Sequence, residues 1–205
     1  MNTTPSHTIQ HSDRPISTLD FRDNKQMMLF SYGLRAVGAI IFSAIFYLMV
    51  GQVHPDTGLT LESLITIRVD GLPDIVSIAL IIVAVVFVLW LHELIHASVF
   101  MAHTGAPPNI GMRGPMIFAS AEGYMNSRNA MIINALAPFV VISVVGLLLM
   151  AIVPVSTLAW VFIPTVANAA AAGGDFMAVY WLLSLPRDAK IEDHGDVLVA
   201  YQPTA

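Results

Sequence analysis

Apolar residues in this chain gather in four long runs, which are separated by polar segments rich in Gly and Pro. Each run is long enough to cross the hydrocarbon core of a bilayer as a helix. The pattern therefore predicts an all-α membrane protein with about four transmembrane helices. Only a short Pro-containing link separates the last two runs, so they are expected to form a tight helical hairpin. The runs cover residues 27–50, 74–102, 130–153 and 157–185.

Short stretches of extended character are predicted inside two of the polar segments. Residues 64–70 alternate between apolar and polar side chains, which is typical of a short strand or of a piece that lies on a surface. Residues 117–124 are predicted to be extended within the loop over residues 103–129. At the end of that loop, Asn126 or Ser127 is expected to cap the next helix, because either side chain can accept a hydrogen bond from the first helical turn.

Both ends of the chain are polar. Residues 1–26 lack the apolar core of a cleaved signal peptide and are expected to be a flexible tail. Residues 186–205 form the second tail, where two short stretches on either side of His194-Gly195 predict a small hairpin. The predicted organisation is a four-helix membrane domain over residues 27–185 between two polar tails.

Composition supports a membrane location. Hydrophobic residues make up 56% of the 205 residues and charged residues only 11%, whereas a soluble domain carries about 25% charged residues. The lipid bilayer is thus an expected partner. The net charge of −5 argues against a nucleic-acid-binding role. Because the chain has no Cys, disulfides are excluded and any metal site must use His, Asp or Glu.

The distribution of Lys and Arg predicts the orientation in the membrane. Four spans place both termini and the loop over residues 103–129 on one side. That side carries eight of the nine Lys and Arg residues, and only Arg68 lies on the other. Because positive charge accumulates on the cytoplasmic side, we expect an integral protein of a prokaryotic cell membrane with both termini in the cytoplasm.

The second run contains H-E-L-I-H at residues 92–96. On a helix, His92 and His96 lie one turn apart on the same face, so both imidazoles can bind one metal ion. Glu93 lies about 100° round the helix, where its carboxylate can take a proton from a metal-activated water without binding the metal. A structural histidine pair is the alternative. However, three ionisable groups in such an apolar segment are costly and usually functional.

Two histidines do not complete a catalytic zinc site, which normally has three protein ligands and a water. The candidates for the third ligand are Asp175, His103 and Glu122. His103 lies about 10 Å further along the same helix, and Glu122 lies in a loop outside the runs. Asp175 lies at the same depth in the fourth run as the two histidines, and a lone Asp there needs a partner. It is therefore the preferred third ligand of one Zn²⁺, although pairing with Arg35 or capping a helix break is an alternative.

The fourth run carries one further signal beside this acid. Gly173 and Gly174 directly precede Asp175. A Gly-Gly pair next to a buried acid indicates a kink or a locally open backbone, and two glycines also allow a neighbouring helix to approach closely.

These residues together resemble a known family. The H-E-L-I-H helix, Ala137-Pro138-Phe139 in the third run and Asn168 followed by Gly174-Asp175 are similar to the zincin peptidases, a family of small bacterial and archaeal membrane proteins. Through that family the chain resembles the site-2 protease class of intramembrane metalloproteases. Those proteases carry Leu-Asp-Gly where this chain reads Gly-Gly-Asp-Phe. The resemblance implies peptide hydrolysis in or near the bilayer, with a membrane protein or peptide as substrate.

The function predicted from the sequence is that of a zinc metallopeptidase embedded in the membrane. Its metal ligands would be His92, His96 and Asp175, and Glu93 would be the general base that activates water. Asn168 and Asn134 are candidates for substrate binding. For both, the alternative is an interhelical hydrogen bond, worth about 0.6–2 kcal/mol.

Three other functions fit parts of the pattern. A non-catalytic membrane scaffold or sensor would keep a structural or vestigial zinc site, but such a site needs no base such as Glu93 beside its ligands. A di-iron oxidase requires several His or Glu boxes, and this chain has one. Metal transport requires a path of sites through the membrane. The peptidase is therefore the preferred hypothesis, with the scaffold or sensor as its alternative.

Overall fold

The computed structural model is mostly helical, with a small sheet. It describes residues 14–21, 24–55, 58–69, 71–105, 109–113, 116–120 and 123–202. The chain divides into two compact units. The first contains residues 1–32, 93–138 and 174–205, and the second contains residues 33–92 and 139–173.

Among the described residues, three helices are long and apolar enough to cross a membrane, which is consistent with a membrane protein. They agree with the first three predicted runs to within three residues at each end. Between the first two of them lies one short helix. In chain order these helices are α1 (Lys25–Val53), the short α2 (Leu61–Ile65), α3 (Asp74–Thr104) and α4 (Arg128–Ile152).

The fourth predicted run consists of two consecutive helices, α5 (Ala159–Ala171) and α6 (Gly173–Ser184). Each is shorter than the 17 or so residues that a span needs. The division falls at Ala172, so the predicted interruption beside the Gly-Gly pair is confirmed. Gly173 makes a close approach to Arg35, because a Cβ at this position would lie 3.0 Å from Arg35 Cγ and 3.1 Å from its backbone nitrogen, so a larger residue would need Arg35 to shift by a few tenths of an ångström.

Two local predictions at the ends of α4 are confirmed. Ser127 Oγ accepts a hydrogen bond from the Ala130 N–H at 3.2 Å, so Ser127 caps the start of the helix. A single 3-10 turn, Val155–Thr157, links α4 to α5 and makes the predicted tight connection.

In the described part of the chain, four strands form an antiparallel sheet in the order β1-β6-β5-β4, and β2 and β3 form a separate hairpin. The hairpin predicted in the C-terminal tail is confirmed as β5 and β6, and part of the predicted extended stretch in the long loop is β3. The strands are β1 (Arg14–Asp20), β2 (Asn109–Arg113), β3 (Met116–Ser120), β4 (Met125–Ser127), β5 (Lys190–Asp193) and β6 (Val197–Gln202).

The prediction of a flexible N-terminal tail was wrong for residues 14–20, which form β1. This strand pairs with β6, and Leu19 lies opposite Leu198. Trp181 Nε1 also donates a hydrogen bond to Ser17 Oγ at 3.0 Å. The sequence did not reveal the strand because its stability comes from packing against partners far along the chain. Residues 1–13 lie outside the described residues.

The alternation over residues 64–70 does not produce a strand in residues 64–69, the part of this stretch that the structure describes. The helix α2 occupies its beginning, and residues 66–69 have no regular structure. The reason is a local capping box. Thr60 Oγ1 accepts from the Ser63 N–H at 3.3 Å, and Ser63 Oγ accepts from the Thr60 N–H at 3.1 Å. Such a pair of bonds favours a helical turn over an extended segment.

One face of the four-stranded sheet, here called the inner face, packs on α4 and α6. It carries the buried side chains of Leu19, Ile191, Leu198 and Ala200, which cluster with Leu182 of α6 and Met131 of α4. Residues paired across antiparallel strands point to the same face, and successive residues alternate. Asn126, opposite Ile191, and Asp193, opposite Leu198, therefore belong to the inner face as well.

Candidate metal centre

The H-E-L-I-H sequence lies in the C-terminal half of α3. This helix is continuous because no Gly or Pro occurs between Asp74 and Thr104. His92 and His96 are therefore one helical turn apart on one face. His92 is buried and only 5% exposed, while Glu93 and His96 are partly buried. The local arrangement expected from the motif is present.

Each histidine is held through its Nδ1 atom. His92 Nδ1 donates to Asn168 Oδ1 at 2.9 Å, and His96 Nδ1 donates to the backbone carbonyl of Asn134 at 2.9 Å. Because these oxygens accept hydrogen bonds, the proton of each neutral ring lies on Nδ1 and the lone pair on Nε2. A neutral imidazole anchored in this way is the form that binds zinc.

Asp175 lies in the first turn of α6, and its Oδ1 is 3.5 Å from His96 Nε2. One ligand atom from each of His92, His96 and Asp175 lies within 4.8 Å of the other two. Around a tetrahedral zinc ion with bonds of about 2.0–2.2 Å, ligand atoms lie about 3.4 Å apart. The three side chains therefore fit a zinc ion after a small contraction.

The other candidate ligands are not in this group. His103 is exposed near the end of α3, where its Nδ1 donates to the Val99 carbonyl at 2.8 Å. Glu122 lies outside the described residues. Of the three candidates proposed from the sequence, Asp175 is the residue that the structure brings together with the histidines.

Both asparagines named as substrate-binding candidates contact the histidines. Asn168 is fully buried on α5, and its side chain makes the hydrogen bond to His92. Asn134 contacts His96 through its backbone, and its side-chain Oδ1 is buried without a hydrogen bond to any described residue. Substrate binding by these residues stays a prediction. The hydrogen bond between Asn168 and His92 joins α5 to α3. It is therefore an interhelical hydrogen bond, the role considered for Asn168 as the alternative to substrate binding.

Replacing Asn168 should weaken metal binding. The Asn168→Ala variant loses the acceptor that orients His92, and loss of such a partner typically costs about 10–100-fold in metal affinity. The zinc dissociation constant, measured by competition with a chelator, should rise by that factor. Asn168→Asp keeps an acceptor oxygen and should bind zinc at least as tightly as wild type. Equal zinc affinity in wild type and Asn168→Ala would contradict the role of this bond.

Glu93 is the residue that the motif assigns to proton transfer. It is not one of the three grouped ligands, although it directly follows His92 in the helix. Its carboxylate interacts electrostatically with His96 and with Asp193 of β5. A carboxylate beside the ligands but outside their group matches the position of a general base in zinc hydrolases.

Asp193 was not predicted as a site residue. Burial raises the pKa of its carboxyl from 3.8 to about 6, and the negative charge of Glu93 acts in the same direction. The pKa of this carboxyl is lowered by the hydrogen bond from the Gly195 N–H and by the charges of His96 and His194. Only the hairpin signal around His194-Gly195 marked this segment in the sequence, and that signal does not reveal what the strand faces.

Asp193 should make the stability of the metal-free protein depend on pH. Because its pKa is raised on folding, the folded state binds the proton more tightly, and stability falls as pH rises from about 4 to 6. A rise of about two units corresponds to about 3 kcal/mol. Asp193→Asn cannot ionise, so it should match wild type near pH 4 and exceed it by up to about 3 kcal/mol at pH 8. Unfolding in detergent with a chelator measures this, and a difference independent of pH would contradict it.

Comparison with known families gives a match. The family model described as "Putative zincin peptidase" matches residues 83–190, which are 108 of the 205 residues. The matched range includes the histidine motif, both asparagines and Asp175. No curated protein and no solved structure matches the chain.

Proposed function

Because the chain belongs to the putative zincin peptidase family, we propose that it is a zinc-dependent peptidase embedded in the membrane. The observation that carries this proposal is the group of His92, His96 and Asp175 with Glu93 beside it. Two neutral imidazoles and one carboxylate are a common ligand set of catalytic zinc, which leaves a fourth position for water or substrate. One ion per chain is expected.

The chain's own residues supply the proton transfers of peptide hydrolysis. When bound, zinc lowers the pKa of water and polarises the scissile carbonyl. Glu93 takes the proton that water loses as its oxygen bonds to the carbonyl carbon. Glu93 then gives that proton to the amide nitrogen as the C–N bond breaks, which leaves a carboxylic acid and an amine. Asn168 and the Asn134 carbonyl keep the two imidazoles oriented throughout.

Large apolar side chains exposed on the long helices support the membrane part of the proposal. Ile40 of α1 is 72% exposed, Val83 of α3 is 64% exposed and Leu148 of α4 is 63% exposed. Such a surface is unfavourable in water and suits lipid. We propose that the bilayer covers it and that α5 and α6 together make a fourth crossing. The substrate would then be a membrane protein or membrane-bound peptide, as in the site-2 protease class.

The depth of the motif in α3 suggests where cleavage occurs. His92 and His96 lie 18 and 22 residues after Asp74, which is about 27–33 Å along the helix. The hydrocarbon core is about 30 Å thick. The metal centre would therefore lie near one face of the bilayer, which the distribution of Lys and Arg assigns to the cytoplasm, and water could reach it from there.

Protease-accessible tags can test this orientation. Tags at residue 5 and residue 200 should both be cytoplasmic, while a tag near residue 57 should be external. Digestion of inverted and right-side-out vesicles distinguishes the two sides. If the tag near residue 57 is on the same side as the termini, the set of crossings is different from the one proposed.

The peptidase itself is tested with the full chain in lipid nanodiscs. We expect about one zinc ion per chain, cleavage of a single-span model peptide, loss of cleavage with a zinc chelator and recovery with added zinc. His103→Ala, outside the ligand group, is the control and should behave as wild type. Cleavage that survives removal of zinc would overturn the proposal. Zinc binding with an intact peptide would favour the scaffold or sensor.

A further inference from the structure

Pro138 is the one proline inside α4, a helix of 25 residues, and its side chain is fully buried. A proline in a helix interior has no N–H to donate to the carbonyl four residues earlier, and its ring crowds that carbonyl. In α4 this carbonyl belongs to Asn134. The sequence therefore removes the usual helical donor of one backbone carbonyl at a defined place in the apolar helix.

The Asn134 carbonyl is also the group that holds His96. It accepts a hydrogen bond from His96 Nδ1 at 2.9 Å. In a regular helix the N–H of residue 138 would bond to this carbonyl instead. An unpaired polar group in an apolar interior is costly, so both the carbonyl and the imidazole N–H need a partner. Here each group supplies the partner that the other needs.

A second histidine uses a carbonyl of the same kind at the C-terminal end of α4. His54 Nε2 donates to the Met150 carbonyl at 2.8 Å, and the residue four positions after Met150 is Pro154. The preceding helical bond, from the Val153 N–H to the Leu149 carbonyl at 3.0 Å, is intact. In both places a proline cannot donate to the carbonyl four residues before it, and an imidazole does so instead.

We propose that Pro138 is a positioning residue of the zinc site, which keeps the Asn134 carbonyl available to His96. This inference rests on the zinc site of the proposed function. Because the carbonyl holds the His96 proton on Nδ1, the Nε2 lone pair is presented to the metal. An N–H at position 138 would compete for the carbonyl and draw it towards the helix axis, so the His96 ring would be less firmly oriented. Pro138 acts through Asn134 and His96 and does not touch the ion.

The test compares variants of the full chain in detergent, with zinc alone as the probe. Pro138→Ala restores the backbone N–H, and its zinc dissociation constant should rise about 10-fold, as for the loss of a partner that orients a metal-binding histidine. The same position is also made with the α-hydroxy analogue of alanine, which keeps the methyl side chain but replaces the amide with an ester. This ester has no N–H and should bind zinc as tightly as wild type. Pro154→Ala makes the same exchange beside the Met150 carbonyl and should also match wild type.

The ester separates the missing N–H of Pro138 from the shape of its ring. Equal weakening of zinc binding in Pro138→Ala and in the ester would assign the effect to the ring and overturn the inference. Wild-type affinity in Pro138→Ala would overturn it as well. Zinc binding by wild type without peptide cleavage would overturn the peptidase alone. A wild-type chain that binds no zinc would overturn both.

Discussion

Glu93→Gln should hold one zinc ion as tightly as wild type and lose at least about 100-fold in peptide hydrolysis. The loss follows from the role of the carboxylate, because an amide cannot take the proton from water, and positioned general bases contribute about 10²–10⁴-fold. Zinc remains because the three grouped ligand atoms belong to His92, His96 and Asp175. The measurement pairs metal content with the rate of cleavage of the model peptide.

A matched control is available on α2. Glu62 is exposed there, remote in sequence from the motif, and Glu62→Gln makes the same chemical change. Its cleavage rate should equal that of wild type. If Glu93→Gln cleaves as fast as wild type, Glu93 is not the base and the peptidase assignment fails.

Asp175→Ala should lose zinc and activity together. The carboxylate is the only charged member of the group of three, and its Oδ1 lies 3.5 Å from His96 Nε2. Two imidazoles alone leave the ion with two protein ligands, fewer than catalytic zinc sites use. We expect zinc affinity to fall by at least about 100-fold. This is more than the loss that is typical when only a hydrogen-bond partner of a metal ligand is replaced. Chelator competition measures the affinity, and cleavage of the same peptide measures activity.

Asp74→Ala provides the comparison for Asp175→Ala. Like Asp175, Asp74 lies in the first turn of a helix, but it is exposed and pairs with Arg68 at 3.5 Å. Its replacement should leave zinc binding unchanged. Full zinc occupancy in Asp175→Ala would remove this residue from the ligand set and make Glu122 the next candidate. Together, Glu93→Gln and Asp175→Ala separate the base from the ligand, since only the second should lose the metal.

The helices and the histidine motif could be predicted because their determinants are local. An apolar run without Gly or Pro specifies a helix wherever it lies, so α3 ends within two residues of its predicted limits. The i, i+4 spacing of His92 and His96 has one geometric outcome on that helix. Even the choice of Asp175 followed from a local quantity, the constant rise per residue, which placed it at the depth of the histidines.

Tertiary structure alone decided the partners of these residues. The β1 strand pairs with β6, roughly 180 residues away, and nothing local distinguishes it from a polar tail. How the helices pack decides that Asn168 accepts a hydrogen bond from His92. Strand register decides that Asp193 lies where it interacts electrostatically with His96 and Glu93. A shift of one residue in β5 would turn Asp193 to the opposite face. The sequence therefore predicted which residues would carry the chemistry, and long-range packing determined which groups contact them, because those contacts arise only when distant segments meet.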